Sequence, residues 1–234
     1  VCGERDGLKP AGYDLGNGPG EFSAARVRGS VLVMATTNGT PAILRARPAL
    51  RTLVASFLNL GATIEALDNS GTDIRIICAG EKGGPSWEDT LLGGHIVEGL
   101  RSRGLAVGGD GARLALGMAV STKEQPLAEV LRQGAGGQRL LRQGFAHDIE
   151  HASQVDSLRM VAVLRSDPAR VEIDPVARVD PVWVGDVFVD GPELRPLVGI
   201  PEEARGNVPE GVARGDGDDL GRHRGYLDRE PPAA

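Results

Sequence analysis

The stretch Val31–Arg47, VLVMATTNGTPAILRAR, decides the fold. Its first half, within Ser30–Ala35, is a short continuous apolar run, the pattern of a strand covered on both faces. Asn38-Gly39 taken alone favours a two-residue hairpin turn. Pro41 argues otherwise, because proline suits the first turn of a helix and Thr40 suits its N-cap. The residues that follow, AILRAR, lack strand alternation. The expected unit is therefore strand, tight turn, helix.

Two more apolar runs repeat the theme. Leu53–Leu58 (LVASFL) and Asp73–Gly80 (DIRIICAG) read as strands. Helices are expected over Pro41–Arg47 and Asn59–Asn69. A further helix follows Ser86, with Leu92, Ile96 and Leu100 on one face and Gly104 as its stop. Residues 105–155 read as more helices broken at RQGAGGQ and Gly144, and RMVAVLR (159–165) as a last core strand. Alternating strands and helices predict an α/β fold, a layered and mostly parallel sheet flanked by helices. The opening VCGERDG reads as a strand end running into a turn, which implies chain upstream of Val1. After Ser166 the composition shifts to Pro, Gly, Arg and Asp. A small hairpin is expected at VWVGDVFV and a disordered tail over 202–234.

Composition narrows the function classes. The chain has 234 residues, a net charge of -6 and 3% aromatics. Its pI near 5.3 argues against broad nucleic-acid or anionic-membrane binding. No apolar run approaches the roughly 20 residues of a membrane span. The two cysteines, Cys2 and Cys78, form no disulfide framework, so a cytoplasmic location is expected. Neither a small anionic ligand nor a homo-oligomer is excluded.

Several residues carry candidate chemistry. In TTNGT, backbone N–H groups at a helix start, a glycine and the hydroxyls of Thr37 and Thr40 make a recipe for an anion site, with Asn38 and Gly39 inside it. The competing reading is an ordinary strand-to-helix turn. Cys78 ends an expected strand, but Gly84 stands where a cysteine phosphatase would need its arginine; a small buried hydrophobe is the alternative. Ser86 and Asp89 have capping-box spacing. Glu88 and Asp89 also suit a hard cation such as Mg²⁺. In GERDG, Glu4, Arg5 and Asp6 are either a solvated turn or an arginine that forks onto an anion beside an acid.

Taken together, GERDGLKPAGYDLGNGPGEF, VLVMATTNGT, SFLN, ICAG…SWEDTL and GF…DI……QVD occur in the order and spacing of the 2-phosphosulfolactate phosphatase family. The resemblance covers roughly residues 2–165. It implies an α/β phosphatase domain over 1–165, with 166–201 and 202–234 as extension and tail. It also implies Mg²⁺-dependent hydrolysis of 2-phospho-3-sulfolactate to 3-sulfolactate, a step toward coenzyme M. On that reading Asp89 and Cys78 are catalytic, and Glu4 and Glu88 hold the metal. Arg5, Thr37, Asn38, Gly39, Thr40 and Asn59 bind substrate. The sequence departs from the family in three ways: no DVLRA-type segment precedes it, Gly136-Gly137 stands for His-Gly, and Pro41 stands for a basic residue. A non-catalytic anion-binding relative, or a phosphatase for another small phosphorylated 2-hydroxy acid, are the rival readings.

Overall fold

Glu4 lies immediately beyond the first strand of a six-stranded sheet, and Thr36 immediately beyond the second, so two strand ends open side by side. The strands are β1 (Cys2–Gly3), β2 (Leu32–Ala35), β3 (Leu53–Val54), β4 (Ala162–Ser166), β5 (Ala169–Ile173) and β6 (Val187–Val189). Their order is β1-β2-β6-β5-β4-β3. β2 runs parallel to β1 and to β6; the remaining pairs are antiparallel. The computed structural model describes residues 1–68, 70–174 and 187–189. The expected tail, and all of the expected hairpin except its last strand, lie outside them.

β1 approaches β2 closely because residue 3 is glycine. Its φ is +143°, and a Cβ there would sit 1.8 Å from the Ala35 carbonyl oxygen. Residues Arg5–Leu8 form a tight turn. Arg5 and Leu8 exchange backbone hydrogen bonds at 2.9 and 3.1 Å. The central pair, Asp6 and Gly7, have φ of 55° and 79°, the left-handed pair that an Asp-Gly hairpin turn requires.

The helices are α1 (Ala24–Val27), α2 (Gly39–Arg45), α3 (Leu60–Asp68), α4 (Trp87–Ser102), α5 (Gly109–Thr122), α6 (Leu127–Gln133), α7 (Ala135–Arg142) and α8 (Ala146–Ala152). The core gathers Phe57, Leu60, Ile64, Leu91, Ile96 and Leu100 from the α3 and α4 region, with Val130, Leu131 and Ile149 from α6 and α8. Each fully buried leucine or phenylalanine contributes roughly 1.5–3 kcal/mol. α4 is the expected helix: Ser86 caps it, and Gly104 ends it at φ 96°, with Leu105 N–H reaching the Leu100 carbonyl at 3.2 Å. Gly94 lets α5 approach α4; a Cβ there would lie 2.0 Å from the Ala115 carbonyl oxygen.

The α/β class holds, and two of the expected strands are corrected. Only Leu53–Val54 of the second run pairs. Ser56 N–H and hydroxyl both donate to Asn59 Oδ1, at 2.8 and 3.2 Å, and Phe57–Asn59 becomes a short 3₁₀ turn that starts α3. Local side-chain hydrogen bonds here outcompete the ladder. Asp73–Gly80 forms no strand at all. It runs over α4, with Ile76 and Cys78 beside Gly93, while Ile77 stays 55% exposed. An apolar run shows that a segment wants to be covered, not which neighbour supplies a hydrogen-bonding edge.

Candidate active site

The turn after β2 is wired differently from the sequence expectation. α2 begins at Gly39, so Pro41 is its third residue and Thr40 is not the N-cap. Thr36 Oγ1 accepts the Thr40 N–H at 3.0 Å, and the Thr40 hydroxyl donates back to the Thr36 carbonyl at 3.1 Å. Thr40 is buried, so its donors serve the helix start. The Thr37 N–H is also engaged, donating to Glu4 Oε1 at 2.8 Å. Asn38 and Gly39 keep backbone N–H groups with no hydrogen-bond partner among the described residues.

Glu4 stands at the end of β1 and closes a small positive nest. Its Oε2 accepts the Gly7 N–H at 2.8 Å. Partial burial pushes its carboxyl up. The hydrogen bonds from Thr37 and Gly7 and the positive Arg139 outweigh that, and it rests below the usual carboxylate range.

A second tight turn faces this one. Glu81 and Gly84 exchange backbone hydrogen bonds at 3.0 and 2.9 Å, with Lys82 and Gly83 at φ 51° and 80°. It follows the Asp73–Gly80 segment and leads to the start of α4. The Gly80 N–H donates to Asp89 Oδ2 at 2.8 Å. This corrects the expected capping box: Ser86 Oγ does accept the Asp89 N–H, at 3.3 Å, but the Asp89 carboxylate turns to Gly80 instead of reaching back. Cys78 lies close enough to Asp89 to feel its charge. Cys78 is exposed and not the small buried hydrophobe of the alternative reading; partial desolvation of its sulfur, with Asp89 next, still pushes its thiol up, so at neutral pH it is a thiol and not a thiolate nucleophile.

α7 joins the two turns. Arg139 Nη1 pairs with Glu81 Oε1, and Gln143 Nε2 donates to the Asp6 carbonyl at 3.4 Å. A Cβ built on Gly7 would lie 3.0 Å from Gln143 Oε1 and 3.5 Å from Arg139 Nε. Three residues before Arg139, Gly136 leaves room for Glu88: a Cβ there would meet Glu88 Oε1 at 2.6 Å. Glu88 is half-buried and has no hydrogen bond or ion pair among the described residues.

Of the expected site residues, Glu4, Thr37, Asn38 and Gly39 meet at the strand ends, and Cys78, Glu88 and Asp89 meet at the start of α4. Arg5 is exposed, and its side chain has no partner among the described residues. Asn59 stands apart. It is 3% exposed, and its amide donates to the carbonyls of Val54 and Met160 while its oxygen serves Ser56. It has no donor left for a substrate. Glu81, Arg139 and Gln143 escaped the sequence reading, and the only signal for them is their position beside turns of Gly and charged residues.

Two further motif residues also have structural roles. Asp156 Oδ1 accepts the Gly61 N–H at 2.6 Å across the start of α3, and Asp148 packs on Gly18. A cavity of about 530 Å³ is lined by Gly7, Lys9, Asn17, Phe145 and His147 among others. Cys78, Glu88 and Asp89 do not line it.

Among the described residues no three His, Cys, Asp or Glu side chains approach closely enough to cage a metal ion. Glu88, whose carboxylate is unengaged among the described residues, suits a hard cation held by a single carboxylate together with water and substrate oxygens.

Residues 1–167 fit the family model for 2-phosphosulpholactate phosphatase. The chain belongs to that family. It is 40% identical over 164 residues to a probable 2-phosphosulfolactate phosphatase of Thermotoga petrophila, covering 70% of each chain. A protein of the same name from Deinococcus radiodurans is 38% identical over 166 residues, covering 70% of this chain and 68% of its own. The Thermus thermophilus relative, also so named, is 38% identical over 167 residues and 70% of each chain. The enzyme class shared by these names is that of a phosphatase. Among the described residues no helix is long and apolar enough to cross a membrane.

Proposed function

We propose that this chain is a Mg²⁺-dependent phosphatase that hydrolyses 2-phospho-3-sulfolactate to 3-sulfolactate and phosphate, in the cytoplasm, as a step of the coenzyme M type. The observation that supports the reading is that α7 touches both motif turns: Arg139 pairs with Glu81 in the turn before α4, and its Nε would lie 3.5 Å from a Cβ on Gly7 in the turn after β1. Phosphate monoesters hydrolyse extremely slowly unaided, so charge stabilisation and positioning must supply most of the rate.

The free N–H groups of Asn38 and Gly39 would hold phosphoryl oxygens. Glu88 would hold Mg²⁺ together with water and substrate oxygens. When bound, that ion would supply Lewis-acid polarisation of the phosphoryl group. Asp89, oriented by Gly80, would take a proton from the attacking water as the new P–O bond forms. The bond from phosphorus to the substrate's C2 oxygen would break, and the neutral Cys78 thiol would protonate that leaving oxygen.

The test is phosphate release from a panel of phosphorylated 2-hydroxy acids, with Mg²⁺ and after exhaustive EDTA treatment. Release that requires Mg²⁺ and favours the sulfonated substrate is expected. Full activity after EDTA would remove the metal from the reading, and a preference for another acid would replace the substrate.

A further inference from the structure

We infer that Arg139 determines specificity: it binds the sulfonate of the substrate, which, like the carboxylate, takes no part in the bond changes. The inference rests on the phosphatase reading above and assigns a partner to that site's main fixed cation. Three observations carry it.

Arg139 is held in place before any ligand arrives. Nη1 is paired with Glu81, and Nε is buried beside Gly7 and Gln143 Oε1. Both Nε and Gln143 Oε1 lack a hydrogen-bond partner among the described residues. Leaving buried polar atoms unpaired is costly, so this arrangement is not one that stability alone favours. Nη2 is likewise without a partner among the described residues, and the side chain keeps 35% of its exposure. The guanidinium therefore has a nitrogen free to donate.

Arg139 also lies near the phosphoryl site through Gly7: a Cβ there would be 3.5 Å from Arg139 Nε, the Gly7 N–H donates to Glu4 Oε2, and Glu4 Oε1 accepts the Thr37 N–H. Arg5 and Lys82, the other cations on the two turns, are exposed and have no side-chain hydrogen bond among the described residues. Ordering either would cost side-chain entropy, whereas Arg139 is already placed. Finally, a sulfonate is a weakly hydrated, spread anion, and guanidinium is more weakly hydrated than ammonium. The pairing discriminates by charge and by fork geometry.

The experiment compares wild type, Arg139→Gln, Arg139→Lys and Glu81→Gln in two assays. The first is kcat/KM for 2-phosphosulfolactate against 2-phospholactate, which lacks the sulfonate. The second is a titration with sulfolactate and with lactate, which needs no turnover. Wild type should favour the sulfonated member of each pair. Arg139→Gln should cut that ratio by about 10- to 100-fold, the range of a charged hydrogen bond. Arg139→Lys should fall between. Glu81→Gln, which keeps Arg139 but removes the pair that holds it in place, should lower the ratio by less than Arg139→Gln does, and serves if Arg139→Gln does not fold. Equal loss on both substrates, or a wild type blind to the sulfonate, overturns the inference. If wild type releases phosphate from neither substrate but binds sulfolactate through Arg139, the phosphatase reading falls and the inference stands. Absence of both activity and sulfolactate binding removes both.

Discussion

Glu4 and Thr37 are joined by a 2.8 Å hydrogen bond, carboxylate oxygen to backbone N–H, across the ends of two parallel strands. The bond puts an acid of this chain inside the turn that the sequence marks as an anion site. It makes the site a balanced cluster, with Glu4 and Glu81 on either side of Arg139, and not a simple positive cradle.

Glu4 gives a pH prediction with a definite sign. Its folded-state pKa is depressed below the ordinary value. The stability it contributes is therefore complete above the unfolded pKa and is lost as pH falls through the folded one. Glu4→Gln should flatten the acid limb of the stability profile and cost about 1–2 kcal/mol at neutral pH, through weaker bonds to Thr37 and Gly7. Urea midpoints of both proteins across the acid range check it; parallel profiles would show that Glu4 does not titrate differently on folding.

Asn38 holds the N-cap position of α2, and Thr36 Oγ1 satisfies the Thr40 N–H of its first turn. Thr36→Ala should cost about 1 kcal/mol, the usual worth of a cap. Thr36→Ser keeps the oxygen and should recover most of it. Denaturant unfolding of the two variants separates the hydroxyl from the methyl group.

Asn59 should behave as a core polar residue. Asn59→Ala leaves Ser56 N–H and two carbonyls without their partner and should cost about 3 kcal/mol. Its KM should stay unchanged in the fraction that folds. A variant of wild-type stability with a raised KM would return Asn59 to the substrate site.

Gly136 and Gly137 should part company. At 136 a methyl group meets the mobile end of Glu88, but at 137 it meets the Leu131 carbonyl at 2.1 Å and the Arg132 backbone. Gly136→Ala should keep or slightly raise stability, because alanine favours the helix by about 1 kcal/mol, while displacing Glu88 and raising the Mg²⁺ concentration needed for half-maximal rate. Gly137→Ala should cost about 3 kcal/mol or more, since α6 must move. Melting curves beside a Mg²⁺ titration of activity test both.

The sequence by itself determined the local units. The strand at Leu32–Ala35, the helix start after it, the Ser86 cap and the glycine stop at Gly104 all follow from short-range physics: hydrophobic period, capping hydroxyls and φ above zero. The family was legible too, because motif order survives without coordinates. Tertiary structure decided the rest. Whether an apolar run becomes a strand depends on a neighbour with a free edge, which Leu53–Val54 has and Asp73–Gly80 lacks. Whether a threonine N–H is open to a ligand depends on a carboxylate 33 residues away. Arg139 gains its place only because α7 lies against two turns remote in sequence, at Gly7 and at Glu81, 58 residues before it. Such partners are chosen by packing across the chain, and the spacing of residues along it carries no record of them.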